Sequence, residues 1–304
     1  MSNHSGYVPG STPEAYLAPE GTPPGQKRKG YPPAPEPLPV PVMDNHTHFD
    51  FAGDFGGDLA AALDTAQAAG VKGAIQVGTD LASSRFTAEA VDADPRLLGA
   101  VAIHPNDAPL LAAEDALEPA LAEIEALAAH PRIRAIGETG LDYFRTGAEG
   151  LERQQYSFRR HIDIAKRLGL ALQIHDRDAH ADVLRVLAEE GAPETVVFHC
   201  FSGDAELAKT CNDNGWYMSF SGTVTFKNSH GLHEALSVAD RSLLLVETDA
   251  PYLTPHPHRG RPNASYMVPY TVRFMAGRMA ADVADLGAEL AANTERAYGS
   301  WAIG

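Results

Sequence analysis

The chain is poor in cysteine and in positive charge. Two cysteines, Cys200 and Cys211, occur in 304 residues, too few for a disulfide framework. Lys and Arg number 24 against 40 Asp and Glu, so the net charge is −16 with histidine neutral. That balance excludes a protein that coats nucleic acid through a broad basic face, or one that adheres to anionic lipid. A polyanionic substrate would need a local source of positive charge. No apolar run approaches the roughly 18 to 20 residues of a membrane span. The first residues also lack a basic segment followed by an apolar stretch. A reducing, cytoplasmic setting is therefore the expectation, with no membrane association and no protein partner evident.

Proline is distributed unevenly. Residues 1–42 hold 11 of the 22 prolines, with glycines between them and few large aliphatics, a composition expected of a disordered, proline-rich arm. Three acids (Glu14, Glu20, Glu36) and three bases (Lys27, Arg28, Lys29) leave this arm neutral, so the whole −16 belongs to residues 43–304.

From residue 40 onward, short β-branched runs alternate with alanine- and leucine-rich segments of helical period. Eight such runs occur: 40–45, 73–78, 98–103, 133–137, 171–174, 195–198, 216–220 and 243–247. Helices are expected between them, and two more over 265–278 and 283–298. Strands that alternate with helices are most simply parallel, and runs such as TVVF (195–198) and LLLV (243–246) suit strands buried on both faces. Eight βα units match an α/β fold of the closed (β/α)8 TIM-barrel type, about 250 residues long. An open doubly wound sheet is the alternative; the glycine-rich phosphate turn it usually carries after its first strand is missing.

Polar residues gather where these strands end, which in such barrels is the active-site face. The first run ends in His46-Thr47-His48, whose imidazoles, two residues apart, share one face. The fourth ends in Gly137-Glu138-Thr139-Gly140-Leu141-Asp142, the fifth in His175-Asp176, the sixth in His199-Cys200-Phe201 and the eighth in Glu247-Thr248-Asp249. Four histidines and two carboxylates at one end of several strands suit a divalent cation such as Zn²⁺, Mn²⁺ or Mg²⁺. A cation of this kind lowers the pKa of coordinated water from about 15.7 toward 7, so hydrolysis is the implied chemistry.

These residues resemble the TatD family of metal-dependent deoxyribonucleases, within the amidohydrolase superfamily. The matching stretches are DNHTHFD (44–50), AIHP (102–105), AIGETGLDYFR (135–145), QIHDRDAH (173–180), FHCFSGD (198–204), VETDAPYLTP (246–255) and RGRPN (259–263). They run in order from residue 43 to about 300. The resemblance implies a barrel holding two divalent cations, with His46, His48 and Asp249 at one, His175 and His199 at the other, and Glu138 bridging where related enzymes often use a carboxylated lysine. It implies cleavage of phosphodiester bonds, as a DNase working from a strand end, or, in the wider superfamily, of amides, lactones or esters. The −16 charge directs a nuclease of this kind to short or single-stranded ends that enter a small mouth. Asp249 is the expected general base. His104 and Arg177 are candidate phosphate contacts, Arg259 and Asn263 candidate substrate contacts in the loop after the eighth strand, and Tyr252 either stacks on a base or anchors its loop. His161 is expected to pack inside a helix, and Cys200 to face away from the site and be inert.

Overall fold

The eight apolar runs become eight parallel strands in the computed structural model, which describes residues 30–50 and 58–301. They are β1 (Val42–Thr47), β2 (Val71–Val77), β3 (Leu97–Val101), β4 (Ile133–Asp142), β5 (Ala171–Arg177), β6 (Val196–Phe198), β7 (Tyr217–Phe220) and β8 (Leu244–Val246). Each pairs with its sequence neighbour, in the order β1 to β8. A parallel bridge between Thr47 and Ala250 joins the first strand to the segment that follows the last. The architecture is the (β/α)8 TIM barrel that the alternating pattern predicted.

Ten α-helices lie among the described residues: α1 (Leu59–Ala68), α2 (Leu81–Ala93), α3 (Ala108–Ala113), α4 (Leu117–Ala128), α5 (Leu151–Leu168), α6 (His180–Glu190), α7 (Ala205–Asn214), α8 (His230–Val238), α9 (Val268–Met279) and α10 (Val283–Tyr298). Helix α3 was not expected, since its six residues are too few to display a helical period. Several acids of the surplus serve helix starts: Asp58, Asp80, Asp204 and Asp282 each accept backbone N–H bonds at the N-termini of α1, α2, α7 and α10. Caps of this type contribute about 1 kcal/mol each.

Alternation along the strands separates two apolar layers. Ile75, Val77, Leu98, Ala100, Ala135, Ala171, Val197 and Leu245 form the barrel interior, together with Ala297 and Tyr298 of α10. Their neighbours Leu97, Val101, Ile136, Leu172, Ile174, Val196, Phe198, Leu244 and Val246 pack outward in the larger core cluster under the helices. Tyr298 accepts from Gln173 Nε2 at 2.7 Å inside the barrel, and the same amide donates to the Asn45 carbonyl at 3.0 Å. Gly140 permits the close approach of β4 to β5: its φ is 138°, and a Cβ there would lie 2.1 Å from the His175 carbonyl oxygen.

The expected disordered arm of residues 1–42 is corrected at its C-terminal end; residues 1–29 lie outside the described residues. Residues 30–41 form a strap against the barrel, with Tyr31 fully buried and Leu38 nearly so. Arg261 donates to the carbonyls of Gly30 (2.7 Å) and Tyr31 (2.6 Å), Tyr266 Oη to that of Pro32 (2.6 Å), and Arg273 to that of Glu36 (2.7 Å). Proline-rich sequence lacks N–H donors but keeps its carbonyls, and the barrel supplies donors for them.

Candidate metal centre

His175, His199 and Asp249 continue the alternation of their strands, whereas β1 shifts register against β2 between Asp44 and Thr47, where His46 lies and just before His48, and β4 carries its own irregularity at Glu138. Along β4, Ala135 faces the interior and Ile136 faces out. Strict alternation would therefore turn Glu138 outward. The register with β5 shifts between Ile136 and Thr139, and Glu138 arrives inside. At the ends of β6 and β8, Cys200 (φ 41°) and Asp249 (φ 55°) occupy the left-handed region, which non-glycine residues adopt at a cost.

Glu138 stands between two groups of histidines. Its Oε2 lies 3.6 Å from His46 Nε2 and 3.9 Å from His48 Nε2. Its Oε1 lies 2.6 Å from His175 Nδ1, 2.8 Å from His199 Nε2 and 3.4 Å from His104 Nε2. Asp249 Oδ1 closes the first group, at 3.9 Å from His46 Nε2 and 3.5 Å from His48 Nε2. His104, expected at the phosphate, stands beside Glu138 and His175, in a group whose donor atoms lie close enough together for one ion.

These residues fit a divalent cation. The Nε2 atoms of His46 and His48 face each other at 3.2 Å. His48 Nδ1 lies 2.9 Å from the Val77 carbonyl, to which it donates, so in the neutral ring the lone pair is on Nε2. His46 Nδ1 is buried without a hydrogen-bond partner among the described residues. Donor atoms about 2.1 Å from a tetrahedral ion would stand roughly 3.4 Å apart, close to the spacings found here. No Lys or Arg pairs with Glu138 or Asp249 among the described residues.

The electrostatics favour a positive occupant. Burial alone would raise the Glu138 carboxyl, but His199 and His104 beside it hold it well below the usual carboxylate range. Burial pulls His48 down, yet the bond and charge of Asp249 push it up to about 9. His199 is raised well above its ordinary value, burial being outweighed by Glu138 and Glu247. The field that retains these protons is the field that would attract a cation in their place.

Two carboxylates behind the histidines had no role in the sequence reading. Asp142 Oδ2 lies 3.2 Å from His175 Nε2, and Glu247 Oε1 lies 3.3 Å from His199 Nδ1. Each orients a ring whose other nitrogen faces Glu138. Their signal was present in GETGLD and ETD, but the pairing joins different strands.

The other candidates divide. Arg177 stacks on Phe144, its guanidinium carbon 4.1 Å from the ring centre, and Arg259 on Phe226 at 3.9 Å. Tyr252 is 48 % exposed, so it is no buried anchor. Asn263 is fully buried and donates to the carbonyls of Thr248 (2.9 Å) and Tyr252 (2.5 Å), which makes it a loop brace instead of a substrate contact. His161 is buried in α5, donating Nδ1–H to the Ser157 carbonyl and accepting from the Ile103 amide. Cys200 Sγ lies 3.3 Å from Ser221 Oγ, and burial pushes its thiol far up, so it is inert.

The family model described as TatD related DNase matches residues 43–299. The chain belongs to this family. An uncharacterized metal-dependent hydrolase of Mycobacterium tuberculosis, TatD, is 46 % identical over 263 residues, covering 85 % of this chain and 98 % of its own. The uncharacterized metal-dependent hydrolase YabD of Bacillus subtilis is 38 % identical over 77 % of this chain and 90 % of its own. Among solved structures, the TatD homologue YjjV of Escherichia coli K12 superposes with a TM-score of 0.79 at 26 % identity, over 85 % of this chain and 98 % of its own. The chain is thus a member of a family of metal-dependent hydrolases.

Proposed function

We propose that this chain hydrolyses phosphodiester bonds as a DNase acting from short or single-stranded ends. The placement of Glu138 carries the reading: its two oxygens face two separate histidine groups, an arrangement suited to a pair of cations around one carboxylate. Divalent cations held by His46, His48, Asp249, His175, His199 and Glu138 would activate water and polarise a phosphoryl oxygen. Two such cations offset the charges of Glu138 and Asp249 among the ligands and of Asp142 and Glu247 behind the histidines, so the loaded mouth is neutralised within a chain of net charge −16. That contrast admits a strand end and disfavours the flank of a long duplex.

Asp249 accepts the proton of the attacking water in this reading. Its side chain is 15 % exposed against 6 % for Glu138, so it is the carboxylate of the pair that an entering substrate meets. The histidines beside it keep it ionised against the effect of burial. His104 contacts the scissile phosphate from the Glu138 side, while Arg177 and Arg259 hold flanking phosphates.

Incubation with Mg²⁺ or Mn²⁺ should release nucleotides from single-stranded DNA, and Glu138→Ala should abolish the release. Turnover of an ester, lactone or aryl phosphate, with none from single-stranded DNA or RNA, would transfer the site to small-molecule hydrolysis.

A further inference from the structure

A second concave site lies in the loop that follows β8. Gly30, Pro257, His258, Arg259 and Arg261 line a pocket of roughly 440 Å³. The loop is held over the segment after β7: the His256 amide donates to Thr225 Oγ1 at 2.8 Å, and Arg259 lies flat on Phe226. The pocket therefore belongs to the C-terminal face, where loops after strands seven and eight of such barrels often bind phosphate.

Its charge is exceptional for this chain. Neither Arg259 nor Arg261 has a carboxylate partner among the described residues, and no acidic side chain lines the pocket. Arg261 spends Nε and one Nη on the carbonyls of Gly30 and Tyr31, which fix the guanidinium without neutralising it. Stacking on Phe226 fixes the plane of Arg259 and leaves its N–H edge free for a planar or tetrahedral oxyanion. Lys227, next to Phe226, is exposed and likewise lacks a carboxylate partner among the described residues. One wall, Gly30, comes from the strap, which precedes the matched family region beginning at residue 43.

We infer that this pocket is an anion subsite that takes a backbone phosphate of the substrate strand, one or more nucleotides away from the bond that is cut. Arg259 and Arg261 bind the phosphate, and the strap holds Arg261 in place. The inference rests on the nuclease reading for its ligand, but the pocket's affinity for phosphate does not depend on hydrolysis.

Two probes test it on the full-length, metal-loaded chain. The first is a fluorescent single-stranded DNA hexamer followed by anisotropy across a salt series. Arg259→Gln should weaken binding roughly 10-fold at low salt. It should also reduce the slope of log K against log salt by about 0.7, the value for one phosphate contact on a single strand. Arg261→Lys, which keeps the charge and loses the fork to the strap carbonyls, should retain most of that slope. The second probe is inorganic phosphate, titrated by calorimetry. Wild type should show two binding events, of which Arg259→Gln removes one and Glu138→Ala the other. If DNA is cleaved but the slope and both phosphate events survive Arg259→Gln, the subsite is wrong and the nuclease reading stands. If no DNA is bound or cleaved, yet Arg259→Gln still removes a phosphate event, the subsite stands and the nuclease reading falls.

Discussion

The Nδ1 atom of His199 lies 3.3 Å from Oε1 of Glu247, and the same oxygen accepts the Cys200 amide at 2.6 Å. Glu247 is fully buried at the end of β8, while His199 follows β6, so this contact ties a candidate ligand to a strand two positions away in the barrel. Glu247→Gln keeps an acceptor of similar shape and removes the charge. Metal affinity should fall on the order of 10-fold, as for other carboxylates behind ligating histidines. Competition with a chelator measures it, and equal affinity in both proteins would remove Glu247 from the site.

Asp249 separates proton transfer from metal binding. Asn in its place keeps an oxygen donor and cannot accept a proton. Asp249→Asn should lower kcat by about 10³-fold with metal content retained. Elemental analysis alongside kinetics decides this, because loss of metal in parallel with activity would leave Asp249 a ligand alone.

His161 gives stability a pH dependence. Burial lowers its pKa from 6.5 to about 4, against a smaller opposing effect of its bond to the Ser157 carbonyl. The depressed value means that the unfolded chain binds the proton more readily. Its contribution is therefore complete above pH 6.5 and is lost as pH falls toward 4. The loss amounts to about 3 kcal/mol over that window. Urea unfolding of His161→Gln should show a lower plateau near neutrality and a gap to wild type that narrows toward pH 4. A gap independent of pH would show that the buried imidazole does not drive acid unfolding.

The strap should carry measurable stability. Tyr31 is wholly enclosed, and truncating a buried aromatic to alanine costs about 3 kcal/mol or more. Tyr31→Ala should lower the urea midpoint clearly, whereas removal of residues 1–29, read as an arm, should leave it unchanged. A midpoint insensitive to Tyr31→Ala would return residues 30–41 to the arm.

The barrel was legible because its signals are local and periodic. Val196–Phe198 and Leu244–Val246 are continuous apolar runs, and the helix expected over 283–298 is α10, Val283–Tyr298. Helix α3 escaped notice because one and a half turns carry no period. The strap escaped because its composition matches that of a disordered chain; what orders it is three distant side chains, Arg261, Tyr266 and Arg273, whose donors meet its carbonyls.

The sequence by itself determined which residues lie at the mouth of the barrel. A parallel strand ends where its apolar run ends, so His46, His48, His175, His199 and Asp249 could be assigned to one face without coordinates. Tertiary structure decided how they meet. Period-two alternation puts Glu138 on the outer face of β4, and only the register shift against β5 brings it inward between the two histidine groups. Asp142 and Glu247 meet their histidines on the same principle, since a side-chain contact between strands depends on their relative height, which no single strand encodes. The net charge of −16 was readable from composition, but the two arginines that escape it became a pocket only when the strap closed against the loop after β8.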